Sequence, residues 1–323
     1  HRDLHSFPTR RSSDLKKQYV FSSLDRTDAS SELSRSVTDG HYLYTRVFLP
    51  FQPFLRWNMY YDVSDLQKTI RADYRNGLLT PVQSAILEPR SAEYLYDVKN
   101  DRWDMVNLID NPELKIKAEE LRQVLRKKLL EERDAHFIPE YTLKTENKMP
   151  VQLASDNSFY PVEKVLDAAL LVGQGSGVLN TQLKLMRDKN PFVRYWASIG
   201  LFSQRGKLRH IIKDLDKLYR DENYPPAKIN LAVTLFNNSD QKKYREAINA
   251  LLKQEDPELL RITLHLLLTV DPAKQVLIAD EVATRLELNK KEKNKEQSQP
   301  NELMTLFLHQ VKGKQIGRGD QFW

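Results

Sequence analysis

Residues able to do covalent chemistry are few in this sequence and widely spaced. Cysteine is absent, which removes thiol nucleophiles, disulfides and thiolate-bound zinc. The seven histidines stand at positions 1, 5, 41, 136, 210, 265 and 309. No His-Glu-x-x-His, no glycine-rich phosphate loop and no zinc-ligand spacing links them. His265 lies in an apolar helical run, where a histidine is usually a satisfied core residue rather than a ligand. Charge is the remaining resource. Fifty Lys and Arg against 44 Asp and Glu give a net charge of +6, but the two signs alternate along most of the chain. That pattern describes a solvated surface, argues against nucleic acid as a partner, and suits a polyanionic sugar. No apolar run approaches the length of a membrane-spanning helix.

Several elements must position whatever site exists. Gln18-Tyr19-Val20-Phe21 reads as a strand, followed by a loop at Asp25-Arg26-Thr27-Asp28. Arg35–Thr38 and Tyr42–Phe48 read as two strands joined at Asp39-Gly40, a hairpin turn in which both central residues take positive φ. Tyr94-Leu95-Tyr96 supplies a fourth strand. Asn111 as cap, Pro112 at the first position and Glu113 in the first turn then open a helix. Its apolar residues Leu114, Ala118, Leu121, Leu125 and Leu129 share one face, so it covers the sheet. Residues 49–90 form an insertion that starts with Pro50, Phe51, Pro53, Phe54, Trp57, Tyr60 and Tyr61. This cluster is either a rim on which a sugar stacks or an apolar contact with another domain. Ser64-Asp65 opens a short helix that Gly77 can end, and Thr80-Pro81-x-Gln83 is a capping-box start for another.

Beyond residue 160 the pattern changes to paired helices. Helical runs begin at Pro161, Pro191, Pro225 and Pro257. The last three repeat a basic residue three or four positions after the proline and a leucine ten after it. Asp188, Glu222 and Asp256 precede them closely. The prolines are 34 and then 32 residues apart, a period that marks an α-solenoid of helix-turn-helix units. Asn289-Lys-Lys-Glu-Lys-Asn-Lys-Glu296 reads as a solvated, flexible connection, Leu303–Val311 as a final capping helix, and Gln315–Trp323 as disordered.

Glu93, Leu95, Tyr96, Asp97, Asp101, Asn107 and Leu108 fit the pattern E-E-L-Y-D-L-x-x-D-P-x-E-x-x-N-L, with Tyr94 and Arg102 departing from it. This stretch resembles the C-terminal region of sulfatases. Arg35, Val37, Tyr42, Tyr44 and Arg46 match the family's R-x-V-R-x-x-x-Y-x-Y-I-R-N, with Thr38 and Val47 in place of an Arg and the Asn. Gly77-Leu78-Leu79-Thr80-x-x-Gln83 and Arg133–Glu140, the latter with His136 for a Gly, resemble the heparan N-sulfatase-like branch. The Asp-x-x-Pro-x-x-Arg form of the helical units resembles HEAT-like repeats. The resemblance implies a parent enzyme that hydrolyses sulfate esters or sulfamates on a glycan, outside the cytoplasm, using formylglycine and a divalent metal, calcium. It also implies an N-terminal catalytic domain as the partner of this chain. Arg26 and, more weakly, His41 are the candidate substrate-binding residues, since a guanidinium suits sulfate geometry. No catalytic and no metal-binding residue can be placed after residue 15.

Ser6-Phe7-Pro8-Thr9-Arg10 does fit Ser-x-Pro-x-Arg, the core of the sulfatase signature, which would make Ser6 the precursor of formylglycine and Arg10 its partner. No Thr-Gly follows it, however, and the signature belongs far upstream of the C-terminal strands. The tail of a common sequencing adapter also translates to Ser-Phe-Pro-Thr-Arg-Arg-Ser-Ser-Asp-Leu, the peptide at residues 6–15. Residues 1–15 therefore read as a fusion scar and are set aside.

The expected fold class is α+β. Residues 16–140 form a small four-stranded antiparallel sheet with a packing helix, 141–160 a linker, 161–288 an α-solenoid of HEAT-like helix pairs, and 289–323 a charged linker, capping helix and tail. The competing reading is a non-enzymatic α-solenoid scaffold that binds protein or polyanion.

Overall fold

The computed structural model describes residues 18–292 and 295–312. The Ser6–Arg10 segment and the Gln315–Trp323 tail lie outside the described residues. The class is α+β, with one four-stranded antiparallel sheet and a helical, solenoid-like part.

The sheet runs in simple order: β1 (Val20–Thr27), β2 (Ser30–Thr38), β3 (Tyr42–Val47) and β4 (Glu93–Asp97). β3 and β4 are antiparallel, with Tyr44 opposite Leu95 and Leu43 opposite Tyr96. The Tyr94–Tyr96 stretch is therefore a strand of the same sheet as the Asp39-Gly40 hairpin. Two turns differ from the sequence reading. β1 continues through Arg26, and the chain reverses at Asp28-Ala29, where Asp28 takes φ 49°; a short polar side chain tolerates this left-handed conformation. At Asp39-Gly40 only Gly40 has positive φ, 87°. The loop is three residues long because the Asp39 carboxylate takes the backbone N–H groups of His41 and Tyr42, at 2.9 and 2.8 Å, and so builds the turn from a side chain.

The described residues form two compact units interleaved in sequence. The first holds residues up to Ser23, Arg35–Arg46 and Glu93–Lys127; the second holds Leu24–Ser34, Val47–Ala92 and the chain from Lys128 on. Strands β1 to β3 and helix α4 (Lys115–Glu132) pass through both. Asn111 caps the turn at Pro112–Leu114 that leads into α4. Ala118, Leu121, Leu125 and Leu129 are all buried, as their spacing requires.

The insertion in the second unit folds as expected from its caps. Ser64 accepts the Gln67 N–H at the start of α2 (Asp65–Arg75), Gly77 follows its end at φ 68°, and Thr80 and Gln83 make a reciprocal capping box on α3 (Pro81–Ala85). The sequence reading missed α1 (Met59–Asp62), which Asn58 caps. The aromatic residues of the insertion separate. Phe51 is buried and meets Phe202 edge-on at 4.9 Å, whereas Tyr60 and Tyr61 are exposed.

Residues 141–160, expected as a linker, carry α5 (Glu140–Thr145) and α6 (Pro150–Ser155). Then the helices alternate between two layers. One layer is α7 (Val162–Leu170), α9 (Pro191–Ser203), α11 (Pro225–Asn238), α13 (Pro257–Leu267) and α16 (Ser298–Lys312), each packed on the next. The other is α8 (Leu179–Leu185), α10 (Ile212–Asp221), α12 (Lys242–Leu252) and α15 (Ala279–Glu292), each lying against a helix of the first, with the short α14 (Pro272–Val276) beside α16. Prolines 191, 225 and 257 occupy the first turn, where no N–H partner is lost. Successive units are cross-linked. Arg194 forks onto the Glu222 carboxylate at 2.9 to 3.2 Å, and Lys228 donates to the Glu222 carbonyl at 2.9 Å.

The expected flexible connection begins as helix. α15 extends through Glu292, because Lys and Glu favour helix and because Asn289 is buried, its amide donating to Asn301 Oδ1 at 2.8 Å. The expected capping helix is present and longer than anticipated, starting at Ser298.

Candidate functional site

The two candidate substrate-binding residues belong to different units and have different surroundings. His41, in the first unit, ends the hairpin loop. Its ring stacks on Tyr42 at 4.2 Å, and its Nε2 lies 3.2 Å from Asp97 Oδ1. Near it in that unit, Lys117 of α4 pairs with Asp39 at 3.2 Å. Farther along the β3–β4 pair, Glu93 accepts from Tyr44 at 2.5 Å and from Arg122 Nε at 2.7 Å. Burial alone would raise the Glu93 carboxyl. The Arg122 and Tyr44 hydrogen bonds and the charges of Arg46 and Arg122 hold it below the ordinary carboxylate range. Asn107 closes the loop after β4, accepting the Leu95 N–H at 2.9 Å and donating to the Glu93 carbonyl at 3.0 Å.

Arg26, in the second unit, lines a cavity of about 300 Å³ together with Glu32, Gln52, Glu140, Glu258, Arg261 and His265. The strand places Arg26 so that its Nε donates to both oxygens of Glu140 at 2.9 and 2.8 Å, with Nη2 2.7 Å from Oε1. Glu140 heads α5. A second cation, Arg261 of α13, lies 3.1 Å away and also pairs with Glu258 at 2.5 Å; Lys144 reaches Glu258 at 2.7 Å and Glu140 at 3.6 Å. Burial would raise Glu258, but the Arg261 hydrogen bond and charge and the Lys144 contact hold it at about 2. Deeper still, Glu32 has a fully buried side chain shared by Arg56 at 2.6 Å and Arg90 at 2.8 Å.

His265 closes this network as a neutral ring. Its Nε2 accepts the Ser31 N–H at 2.7 Å, and its Nδ1 lies 2.9 Å from Gln52 Nε2. Burial, then the positive charge of Arg261, push its pKa down to about 3. It is the core histidine that its apolar run implied. The Ser31 hydroxyl accepts instead from Arg261 at 3.1 Å, so histidine and hydroxyl do not form a nucleophile–base pair. This cavity is a clamp of alternating charge that ties β1, α5 and α13 together. Among the described residues, no group of three or more His, Asp and Glu could hold a metal ion. No helix among them is long and apolar enough to cross a membrane.

The sequence reading found Arg26 but not its partners. Glu140 was quoted as the end of Arg133–Glu140, and Arg261 as the basic residue four after Pro257. Nothing in their spacing tells that Arg261 meets the Glu140 carboxylate from 121 positions away.

No protein-family model matches the chain. Among curated proteins, it is similar to an ulvan-active sulfatase of Formosa agariphila, with 28% identity over 129 residues. That match supports kinship with a sulfatase and nothing finer. It takes in 40% of this chain and 22% of the other protein, so the chain spans about a fifth of the length of the relative it matches.

Proposed function

We propose that this chain is the C-terminal part of a sulfatase that hydrolyses sulfate esters or sulfamates on a glycan, continued by HEAT-like repeats. The observation that carries the reading is the partial sulfatase match. Strand β4 supports it, since the family-like stretch from Glu93 forms a strand paired with the hairpin. In this reading the formylglycine, the calcium ion and the residues that hold them belong to a catalytic domain outside this chain. The chain braces that domain, and the parent works in the periplasm or outside the cell. The clamp around Glu140 holds the brace rigid and takes no part in sulfate cleavage.

The test compares two proteins. The chain alone and the protein read from the uninterrupted upstream frame are each purified and assayed for sulfate release from a sulfated polysaccharide. Turnover only by the longer protein supports the proposal. Turnover by the chain alone overturns the assignment of chemistry to the other part. An upstream frame with no Cys/Ser-x-Pro-x-Arg segment and no turnover overturns the enzyme reading in favour of a scaffold.

A further inference from the structure

A second cleft in the second unit, of about 370 Å³, is built from the insertion, the turn after α9 and the C-terminal helices. Its lining contains Arg71, Arg75 and Arg205, the aromatic residues Phe51, Trp57 and Tyr74, and no Asp or Glu at all. The lining carries three guanidiniums and no carboxylate, with Asp62 behind Arg71 and Glu88 bonded to the Tyr74 phenol just outside it. Arg71 is neutralised by Asp62 at 2.5 Å and lies over the Trp57 ring at 3.6 Å. Arg205 has no such partner. Burial lowers its pKa and only the Tyr74 phenol opposes this. Its one hydrogen bond among the described residues, from Nη2 to the Phe51 carbonyl, is long at 3.4 Å. Arg75 likewise makes no ion pair among the described residues.

Two further features point to a ligand. Arg205 holds φ 53°, a left-handed conformation that strains a side-chain-bearing residue and that clusters at binding sites. Gln310 also lines the cleft. Gln275 Nε2 donates to the carbonyls of Leu267 and Leu268 at 2.9 and 3.1 Å, which turns its Oε1 toward Gln310 Nε2 at 3.2 Å. This chain of amides fixes Gln310 Oε1 as an acceptor, and that buried atom has no hydrogen-bond partner among the described residues. It awaits a donor.

We infer that this cleft binds a sulfated saccharide unit. The sulfate is held by the Arg205 and Arg75 guanidiniums, whose planar forks match its oxygens. The apolar face of the sugar lies on Tyr74, which is 38% exposed. A ring hydroxyl donates to Gln310 Oε1 once that side chain turns toward it. The volume is that of a small-ligand pocket, enough for one or two sugar rings. The inference rests on the proposal that the parent acts on a sulfated glycan, and gives this part of the chain the task of holding the polymer.

The test is titration calorimetry of the purified chain with a chondroitin 4-sulfate tetrasaccharide, its chemically desulfated form and inorganic sulfate. Binding of the sulfated tetrasaccharide, at least tenfold weaker in R205N and in R75A, is expected. Asn tolerates the left-handed backbone, and Arg75 is an exposed position, so both variants keep the fold. K242A, on an exposed lysine that does not line the cleft, binds as the parent chain does. Equal binding by R205N and R75A, equal binding of the desulfated sugar, or equal binding of free sulfate would each overturn the inference. So would the absence of binding. Turnover by the longer protein is measured separately, so a functioning sulfatase with an inert cleft rejects this site alone.

Discussion

The Arg26 guanidinium meets the Glu140 carboxylate through Nε and Nη2 at 2.7 to 2.9 Å, linking β1 to the first turn of α5. Arg261 of α13 approaches the same carboxylate from the solenoid-like part at 3.1 Å. One acidic side chain thus joins cations of β1 and α13, with Lys144 of its own helix a third at 3.6 Å.

Removing it should therefore cost more than a surface pair. Glu140 is about one-third exposed, and Arg26 and Arg261 less so, which places the loss in E140A between the exposed and buried limits, at about 2 kcal/mol. The exposed Lys68–Asp65 pair on α2 provides the comparison, and D65A should cost under about 0.5 kcal/mol. Urea unfolding of both variants checks the contrast. A loss in E140A no greater than in D65A would show the clamp to be inert.

The same cavity should make the protein acid-sensitive. His265 has its folded pKa depressed to about 3 from an ordinary 6.5, and Glu258 to about 2 from 4.5. In each case the unfolded chain takes up the proton first. Stability is full above the unfolded values. It falls as pH drops from about 6.5 through His265 and from about 4.5 through Glu258, by at most about 1.4 kcal/mol per pH unit for each group. Urea midpoints between pH 7 and 5 should decline in the parent chain, and the decline should flatten in H265Q whatever its absolute stability.

Gly173 follows α7 with φ 77°, and a Cβ there would lie 2.8 Å from both Ala92 Cβ and Pro50 Cγ. Backbone strain and overlap act together, so G173A should lose at least about 2 kcal/mol. Gly206 has open space around it and no positive φ, and G206A should stay within about 0.5 kcal/mol of the parent. Thermal melts of the pair decide between a packing role and mere turn chemistry at Gly173.

Helix caps in the solenoid-like part give a smaller effect of known origin. Asp256 accepts the N–H groups of Glu258 and Leu259 at 2.9 and 3.0 Å, and Asn190 does the same for Phe192 and Val193 at 2.9 and 3.3 Å. D256A and N190A should each cost about 1 kcal/mol, and the double variant about 2, because the two caps are on separate helices. Chemical denaturation measures all three.

Much of the architecture was legible in the sequence because its signals are local. Caps at Ser64, Thr80, Asn111 and Asp256 announce helices from two or three adjacent residues, and the leucine spacing of α4 names its buried face. Period and proline position showed the stack of paired helices. The misreadings arose where a side chain competes with the backbone or where burial overrides composition. Asp39 rebuilds its turn with a carboxylate, and Asn289 draws a charged run into a helix by pairing with Asn301. The ionic cavity was not legible at all. Arg26, Glu140 and Arg261 have no common motif, and only the folded chain brings their charges to one point.

Helices α7, α9, α11, α13 and α16 each rest on the neighbours before and after them in the stack, with cross-links such as Arg194 to Glu222 spanning a single step. Longer contacts also tie this layer to other parts of the chain: His265 of α13 accepts the Ser31 N–H at 2.7 Å, and Glu302 of α16 accepts the Met59 N–H at 2.5 Å. The layer is thus riveted at more than one step, and a shift of one helix pair is opposed by the insertion and strand β2 as well as by its neighbours in the stack.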